Sequence, residues 1–339
     1  MDISPPSATL GSVDAIVPCH NYGHLLAASV RSILSQTEVA VRVLILDDAS
    51  TDNTAQVAAG LAAEDPRVEW RRHSVNHGHI ATYNEGLQWV EAAHVLLLSA
   101  DDLLTPGSLA RAVRVMNARA DVVMTYGPDM PFSTPEPPLI EPVTGEAPCR
   151  IIDYPKFLEL SCRMGHTPLQ APAVLVRSST HAAIGGYLAQ LPHSGDTEIW
   201  LRIASQGKVA CIDRIQAFRR LHRSNMSHGY HPVQRLEEQL RAFETHLSDP
   251  NYAPREADSY RAIVRATIAE AAFWTGAHAF ERHQDTACSE ALEFARSCDA
   301  NIASTPSWSR MQWRRRLGPR TAGLVDRFYR RVRRNLVES

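Results

Sequence analysis

The chain has 339 residues, 44% of them hydrophobic and 21% charged, so it is long enough for one large domain or for a core of about 220 residues and a smaller appendage. Its formal net charge of −2 gives no electrostatic basis for binding nucleic acid. The six cysteines form no Cys-x-x-Cys pair, which argues against a structural zinc site and a disulfide scaffold. Without a signal-peptide pattern or a run of ~20 apolar residues, the expected location is cytoplasmic.

Short apolar runs alternate with amphipathic segments in the first part of the chain. The predicted strands are 13–17, 41–46, 68–71, 95–99 and 122–126. The predicted helices are 25–35, 54–63, 79–91 and 107–119. This alternation predicts an open, mostly parallel α/β sheet flanked by helices. Ligands of such sheets bind outside the carboxyl ends of the strands.

The rest of the chain has a different pattern. Residues 127–150 are rich in proline and predict an irregular excursion. A strand is expected at 171–176, a helix at 197–205 and a last strand at 217–222. We expect only helices from 229 to 339, at 233–246, 258–273 and 286–296, with an antiparallel helical pair indicated by the apolar spacing at 271–280.

The C-terminal tail predicts a basic amphipathic helix. After Pro319 an apolar stripe is flanked by arginines at 327, 330, 331, 333 and 334. Such a helix either lies on an anionic membrane surface, here the inner face, or packs on its own protein with a solvated basic face. The second alternative is favoured.

Two adjacent acids, Asp101 and Asp102, follow the buried apolar run 95–98. Buried carboxylates are costly unless a positive charge meets them. A divalent cation that carries a diphosphate would supply that charge, since Mg²⁺ and Mn²⁺ prefer hard oxygen ligands. The alternative is an ordinary turn or helix cap.

Common nucleotide and hydrolase motifs do not occur in the sequence. There is no Gly-x-Gly-x-x-Gly after the first strand, no Gly-x-x-x-x-Gly-Lys-Ser/Thr and no Gly-x-Ser-x-Gly. What remains is a set of polar residues at strand ends, 47–48, 76–79 and 101–102, followed by a later acidic cluster at 196–198.

Seven segments in collinear order over residues 11–228 resemble the inverting glycosyltransferase family 2, whose fold is GT-A, a Rossmann-like nucleotide-sugar fold. They are VPCHNY (17–22), LDDASTD (46–52), NHG with NEG (76–78 and 84–86), SADD (99–102), GGY (185–187), GDTEIWLRIA (195–204) and RRLHRSNMS (219–227). The resemblance implies a GT-A domain over 1–228, with a nucleotide-binding half at about 11–126 and an acceptor-binding half at about 127–228.

The resemblance also implies residues that bind the donor. Asp48, with Asp47 beside it, would bind the base, although capping of the following turn is the alternative for each. Asp101 would lie near the ribose. Tyr83 departs from the family pattern before Asn84. The other implied donor-binding residues are Pro18, His20, Asn21, Asn76, Gly78 and Asn84.

A divalent cation, Mn²⁺ or Mg²⁺, is the implied cofactor. Asp102 would ligate the metal, and His222 would ligate it or contact the diphosphate. One of Arg219, Arg220 and Arg223 would assist at the diphosphate.

Asp196 resembles the second acid of the family's Glu-Asp motif, with Gly195 in place of the first. A general base must reach the acceptor hydroxyl opposite the leaving diphosphate, so Asp196 is the expected catalytic base. Its alternative role is the N-cap of the following helix. Glu198 is the second choice for the base, and His193 is close enough in sequence to line the acceptor pocket.

The implied reaction is metal-dependent, inverting transfer of a hexosyl or N-acetylhexosaminyl group by direct displacement. The resemblance favours a UDP-sugar donor, and it leaves dTDP- and GDP-sugars open. The acceptor is a carbohydrate, a lipid-linked sugar or a small molecule.

Two other functions remain as alternatives. A sugar-nucleotide nucleotidyltransferase is disfavoured because the loop at 18–23 is neither glycine-rich nor basic. An inactive sugar- or nucleotide-binding member of the fold is disfavoured because Asp48, Asp102 and Asp196 are all present.

Overall fold

A computed structural model of the protein describes residues 9–140, 147–222, 225, 229 and 231–318. The described residues form two compact units. The first contains those up to 161, 167–229 and 249–252, and the second contains 162–166, 231–248 and 253–318. Arg223 and the predicted basic tail helix lie outside the described residues.

The strands of the first unit belong to two sheets. They are β1 (Ser12–Cys19), β2 (Ala40–Asp47), β3 (Val68–Arg72), β4 (His94–Leu97), β5 (Leu103–Leu104), β6 (Val122–Tyr126), β7 (Asp129–Phe132), β8 (Cys149–Ile152), β9 (Leu175–Arg177), β10 (Lys208–Ile212) and β11 (Ala217–Arg220).

The larger sheet has the order β3-β2-β1-β4-β9-β6-β10-β8 within the described residues. Strands β3, β2, β1 and β4 are parallel to one another, as are β6 and β10. Strand β9 is antiparallel to both β4 and β6, and β8 is antiparallel to β10. The predicted α/β fold with a mostly parallel sheet is therefore confirmed. A smaller sheet has the order β5-β11-β7.

The helices flank the sheet in the first unit and make up the second. They are α1 (Gly23–Leu34), α2 (Thr54–Glu64), α3 (His79–Trp89), α4 (Ser108–Ala118), α5 (Tyr154–Met164), α6 (Ser178–Ile184), α7 (Gly195–Ala204), α8 (Pro232–Ser248), α9 (Ala257–Glu281), α10 (Asp285–Cys298) and α11 (Pro306–Leu317).

A continuous apolar core holds the first four parallel strands in place. Leu26, Val30 and Ile33 recur at helical spacing on α1, and all three are fully buried. They pack in one cluster with strand residues such as Val13 and Val43. Each such side chain contributes roughly 1.5–3 kcal/mol of stability by its burial. The strands therefore form a rigid support for the loops at their carboxyl ends.

The structure corrects three of the predicted elements. The segment 127–150 is not wholly irregular, because it contains β7 and the start of β8. The predicted strand at 171–176 is a short 3₁₀ turn at Ala171–Ala173 followed by β9. The predicted strand at 217–222 ends at Arg220 and belongs to the smaller sheet, where it pairs with β7 and β5.

The second unit is helical throughout its described part. Helix α9 continues to Glu281, eight residues beyond the predicted end at 273, and packs against α10 through Phe273, Phe280 and Leu292. The predicted helical pair is therefore α9 with α10, although Trp274 is half exposed rather than part of the contact. Within residues 9–140, 147–222 and 231–318, no helix combines the length and hydrophobicity needed to cross a membrane.

Candidate active site

The loops after β1 and β2 bind each other at the carboxyl edge of the sheet. The His20 Nδ1 atom lies 2.6 Å from the Asp48 carbonyl oxygen. Asn21 adopts φ = +60° and accepts a 2.8 Å hydrogen bond at Oδ1 from the Thr51 amide. Its own amide donates to Ser50 Oγ at 2.9 Å. Pro18 lies just before this loop, within β1 and paired with Leu46. The first two loops therefore form one unit.

The two acids at the end of β2 have different environments. Asp47 is fully buried, and its Oδ1 accepts from the Ser50 amide at 2.9 Å, which is the turn-capping geometry considered as its alternative role. Its Oδ2 lies 3.3 Å from Arg72 Nε. Asp48 instead faces the loop after β3, so the adjacent acids stabilise different loops.

Asp48 organises the segment 76–78. Its Oδ1 accepts from the His77 amide at 2.8 Å and its Oδ2 from the Gly78 amide at 2.9 Å. Gly78 has φ = +82°, a conformation that favours glycine. The Asn76 side-chain nitrogen lies 3.4 Å from the His20 ring nitrogens, so this segment also meets the first loop.

His73 joins Asp48 to a second acid. Its Nδ1 lies 2.8 Å from Asp48 Oδ1, and its Nε2 lies 2.8 Å from Glu85 Oε2. Burial disfavours the charged imidazole, but the hydrogen bonds to the two carboxylates outweigh it and raise the pKa of His73. Burial likewise opposes ionisation of Asp48, but the bonds from His73, His77 and Gly78 lower the pKa of its carboxyl. Asp48 is therefore a preorganised carboxylate.

Asp101 and Asp102 meet the segment after β11. Asp101 Oδ2 lies 3.0 Å from His222 Nε2 and accepts from Asn225 Nδ2 at 3.3 Å. Asp102 Oδ1 accepts from the Arg220 amide at 2.9 Å. The Tyr22 ring packs edge-on against His222 with 5.4 Å between ring centroids. The acidic pair therefore adjoins the first loop.

The donor set at this point fits a divalent cation. Burial and the charge of Asp101 raise the pKa of Asp102, which means that the surroundings do not offset the negative charge that the pair would carry with both acids ionised. No closed cluster of three or more His, Cys, Asp or Glu ligands occurs within the described residues. One or two carboxylates suffice, however, where substrate phosphates complete the metal's coordination. Asp102 and His222 fit such an open site.

The arginines expected at the diphosphate have partners within the protein. Arg219 Nε donates to Asp129 at 2.5 Å. The Arg220 guanidinium lies over the Phe132 ring and donates to the backbone carbonyls of Thr134 and Pro135. These contacts favour a structural role for both arginines.

Asp196 lies in the first turn of α7, within a partly buried group of side chains. Burial raises the pKa of its carboxyl to about 6, while a hydrogen bond from the Tyr187 side chain and the charge of His79 act in the opposite direction. His79 Nε2 lies 2.6 Å from the Pro192 carbonyl oxygen, which fixes the imidazole between the loop before α7 and the start of α3. At neutral pH Asp196 is thus ionised and still basic enough to accept a proton.

Glu198, the second choice for the base, belongs to a buried ion pair. Arg202 donates to both of its oxygens, at 2.8 and 2.6 Å, and the two side chains are only 3% and 6% exposed. The same guanidinium donates to the carbonyls of Ile184 and Gly186 at 2.8 and 2.9 Å. This arrangement stabilises the segment before Tyr187 and gives Glu198 a structural role.

Asn84, which the resemblance assigns to donor binding, contacts the segment 185–187. Its side-chain amide makes two hydrogen bonds with the backbone of Tyr187. The sequence alone predicts no role for four residues of this region, Tyr187, Arg202, Asn225 and His73. The first three lie within the matching segments, and His73 directly follows β3, so position relative to a motif or a strand end was the available signal.

Comparisons with known proteins agree with this fold. The described chain resembles S. aureus TarS 1–349 in complex with UDP-GlcNAc, with 14% identity, coverage of 90% of this chain and 91% of the other, and a TM-score of 0.64. It also resembles the mannosyltransferase PcManGT from Pyrobaculum calidifontis in complex with GDP-Man and Mn²⁺, with 18% identity, coverage of 93% and 83%, and a TM-score of 0.57. The architecture is therefore that of the GT-A fold class.

Sequence comparison finds a family match over part of the chain. Residues 14–140 match Glycosyl transferase family 2. An uncharacterized glycosyltransferase of Nostoc sp. is 32% identical over 111 residues, which are 33% of this chain and 34% of that protein. The chain thus aligns with about a third of the length of that relative. Residues 14–140 therefore match the family that the sequence motifs within them resemble.

Proposed function

We propose that this protein is a metal-dependent, inverting glycosyltransferase that moves a sugar from a nucleoside-diphosphate sugar to an acceptor hydroxyl. The observation that carries the proposal is the meeting of four polar loops at one edge of the sheet. His20 contacts both Asn76 and the Asp48 carbonyl oxygen. Tyr22, two residues further along the same loop, packs against His222, which contacts Asp101. This edge is where open α/β sheets bind their ligands.

The donor's nucleotide would lie on the loops after β1, β2 and β3. Asp48 is ionised and held by three donors of the chain, so it can accept a hydrogen bond from a base without reorganisation. UDP is the favoured nucleotide, because the TarS structure contains UDP-GlcNAc. GDP remains an alternative, because PcManGT contains GDP-Man.

The diphosphate would lie at Asp101 and Asp102. Asp102, together with His222, whose ring contacts the adjacent Asp101, would hold a divalent cation, and the positive charge of that cation would stabilise a leaving diphosphate. His222 keeps Asp101 in place through its Nε2 contact, and Asn225 adds a second hydrogen bond to the same carboxylate.

Asp196 would act as the base. Its carboxylate would accept the proton of the acceptor hydroxyl while that oxygen attacks the anomeric carbon, and the diphosphate would leave from the opposite face. The segment 78–79 links this acid to the donor loops, since the Gly78 amide bonds to Asp48 and the His79 side chain lies near Asp196. A carbohydrate, a lipid-linked sugar and a small molecule remain candidate acceptors.

Calorimetric titration of UDP, GDP and dTDP into the full chain tests the donor site. We expect one nucleotide to bind with Mn²⁺ and to lose most of its affinity in EDTA. Equal affinity with and without chelator would contradict the metal role of Asp102, and no binding at all would favour an inactive member of the fold. Asp196→Asn should then bind this nucleotide normally but transfer no sugar. Asp65→Asn, which changes a partly exposed acid paired with Arg67, is the matched control.

A further inference from the structure

The residue before Asp196 has no room for a side chain without movement of Tyr187. A Cβ atom at Gly195 would lie 3.3 Å from Tyr187 Cδ1 and 3.5 Å from Ile80 Cδ1. The first distance is tighter than an ordinary van der Waals contact, so the Tyr187 ring would have to shift. In this chain, therefore, the Tyr187 ring occupies the space beside Gly195.

Tyr187 is held rigidly in that place. Its side chain is buried and packs edge-on against Tyr83, with 5.3 Å between ring centroids. Tyr83 in turn packs against His79 at 5.5 Å. Asn84 donates to the Tyr187 carbonyl at 2.9 Å and accepts from its amide at 2.7 Å. The ring and its backbone are thus both anchored on α3.

The neighbouring glycine permits this close approach. A Cβ atom at Gly186 would lie only 2.3 Å from Asn84 Oδ1, so a larger residue would disrupt the bonds between Asn84 and Tyr187. Arg202 fixes the other side of the segment through the Gly186 carbonyl. The two supports together leave the Tyr187 ring little freedom to reorient.

The Tyr187 hydroxyl is hydrogen-bonded to the carboxylate of Asp196. Burial raises the pKa of the phenol well above its usual range, so the hydroxyl keeps its proton and acts as the donor. A hydrogen bond to a charged acceptor is among the stronger ones in a protein interior. It fixes one oxygen of the carboxylate and leaves lone pairs for a second partner.

We infer that Tyr187 is the positioning residue of the Asp196 base and gives the carboxylate the support that position 195, a glycine here, cannot supply. The inference rests on the proposed function, since it concerns the same site. Tyr187 keeps Asp196 oriented and ionised in a buried environment that would otherwise favour the protonated acid. The role differs from a purely structural one because it sets the protonation of Asp196.

The test compares Tyr187→Phe with the wild type in two measurements. Titration of the Asp196 carboxyl by ¹³C NMR, with Asp196→Asn for assignment, needs no substrate. We expect Asp196 in the phenylalanine variant to take up its proton at higher pH. In the transfer assay, the acid limb of kcat should move to higher pH, with about a tenfold loss of kcat at pH 6 and unchanged nucleotide affinity.

Two further variants make the result decisive. Tyr154→Phe removes a hydroxyl that donates to the Tyr252 carbonyl, and it should leave both titrations as in the wild type. Gly195→Ala keeps the Tyr187 hydroxyl but presses on its ring, and it should move both titrations in the same direction by less. If Tyr187→Phe does not fold, Gly195→Ala is the variant that tests the inference.

Unchanged titration of Asp196 in folded Tyr187→Phe, or in Gly195→Ala where the phenylalanine variant does not fold, would overturn the inference. If the wild type transfers no sugar, the proposed function fails, but the NMR titration still decides whether Tyr187 controls Asp196. The two failures are therefore distinguishable.

Discussion

The side-chain amide of Asn84 bonds to both backbone polar groups of Tyr187, which lies 103 residues further along the chain. The contact joins helix α3 to the glycine-rich segment 185–187. It makes Asn84 a support for Tyr187, and through Tyr187 for Asp196, whereas the family resemblance predicts a donor contact for Asn84.

Replacing Asn84 separates these two roles. In Asn84→Ala the Tyr187 amide and carbonyl lose their partner, which should cost about 1–3 kcal/mol of unfolding free energy in urea titrations. We expect a reduced kcat with unchanged nucleotide affinity. Asn117→Ala, which removes an exposed amide bonded to the Leu10 carbonyl, is the control. A large loss of nucleotide affinity in Asn84→Ala alone would instead place Asn84 at the donor.

The sequence predicts most of the first half of the fold because its signals are local. Strand β1 and helix α1 have apolar spacings that a short window reveals, and their predicted bounds fall within three residues of those observed. The insertion of β9 between β4 and β6 depends on long-range pairing, which a short window cannot reveal. Strands such as β5, with two residues, are too short to have a periodicity.

In the candidate site, too, the sequence predicts what depends on local signals and misses what depends on long-range contacts. The motifs predict Asp48, Asp102 and Asp196 as candidates, since each lies where a strand or helix begins or ends. Which partners those acids meet is not a local property. Glu198 and Asp196 are equally acidic in the sequence, but the turn of α7 directs Glu198 towards Arg202 and Asp196 towards Tyr187.

Loss of Glu198 should therefore affect stability. Removing one partner of a buried ion pair leaves an uncompensated charge, so Glu198→Ala should lower the unfolding free energy by about 3–5 kcal/mol in urea. The control is Glu64→Ala, whose ion pair with Arg31 is exposed and should contribute less than about 1 kcal/mol. A stable Glu198→Ala protein without transfer activity would make Glu198 the base.

The pH dependence of transfer reports on Asp196. The base must be ionised, and burial raises its pKa to about 6. We therefore expect kcat to rise as the pH increases through 6 and to level off near pH 7. Pre-steady-state measurement of the transfer step would check this. A flat profile between pH 5 and 7 would be incompatible with Asp196 as the base.

The contribution of Asp196 to the free energy of unfolding should fall as the pH rises, whereas kcat should rise. Since the folded pKa of Asp196 exceeds the ordinary 3.8, the native state binds more protons than the unfolded state between about pH 4 and 6. Asp196 therefore makes the unfolding free energy fall as the pH rises through this window, by at most about 3 kcal/mol. The difference between wild type and Asp196→Asn in urea titrations isolates this contribution. The prediction would be contradicted if the unfolding free energy of the wild type rose, relative to that of Asp196→Asn, as the pH increases from 4 to 6.

Neutralising Asp102 should have opposite effects on stability and on nucleotide binding. Asp102→Asn relieves the repulsion with Asp101, so the metal-free protein should unfold at an equal or higher urea concentration than the wild type. The variant should at the same time lose Mn²⁺-dependent nucleotide affinity. Asp121→Asn, which changes an exposed acid paired with Arg119 and Lys208, is the matched control. A variant that keeps the metal dependence would assign the cation to other ligands.

The contacts of His73 with Asp48 and Glu85 should make the unfolding free energy of the protein lower in alkaline solution. The folded pKa of His73 is raised above the ordinary 6.5, so the stability due to its charge is fully present below pH 6.5 and is lost as the pH rises through the folded pKa. In His73→Gln the unfolding free energy should be lower at pH 6 and should depend less on pH above 6.5. Urea titrations from pH 6 to 9 measure both effects, with the exposed His24→Gln as control.

Because His73 and the Gly78 amide bind the same carboxylate, weaker nucleotide binding above the folded pKa of His73 should accompany the lost stability. A wild-type profile as flat as that of His73→Gln would mean that the imidazole is neutral in the folded protein.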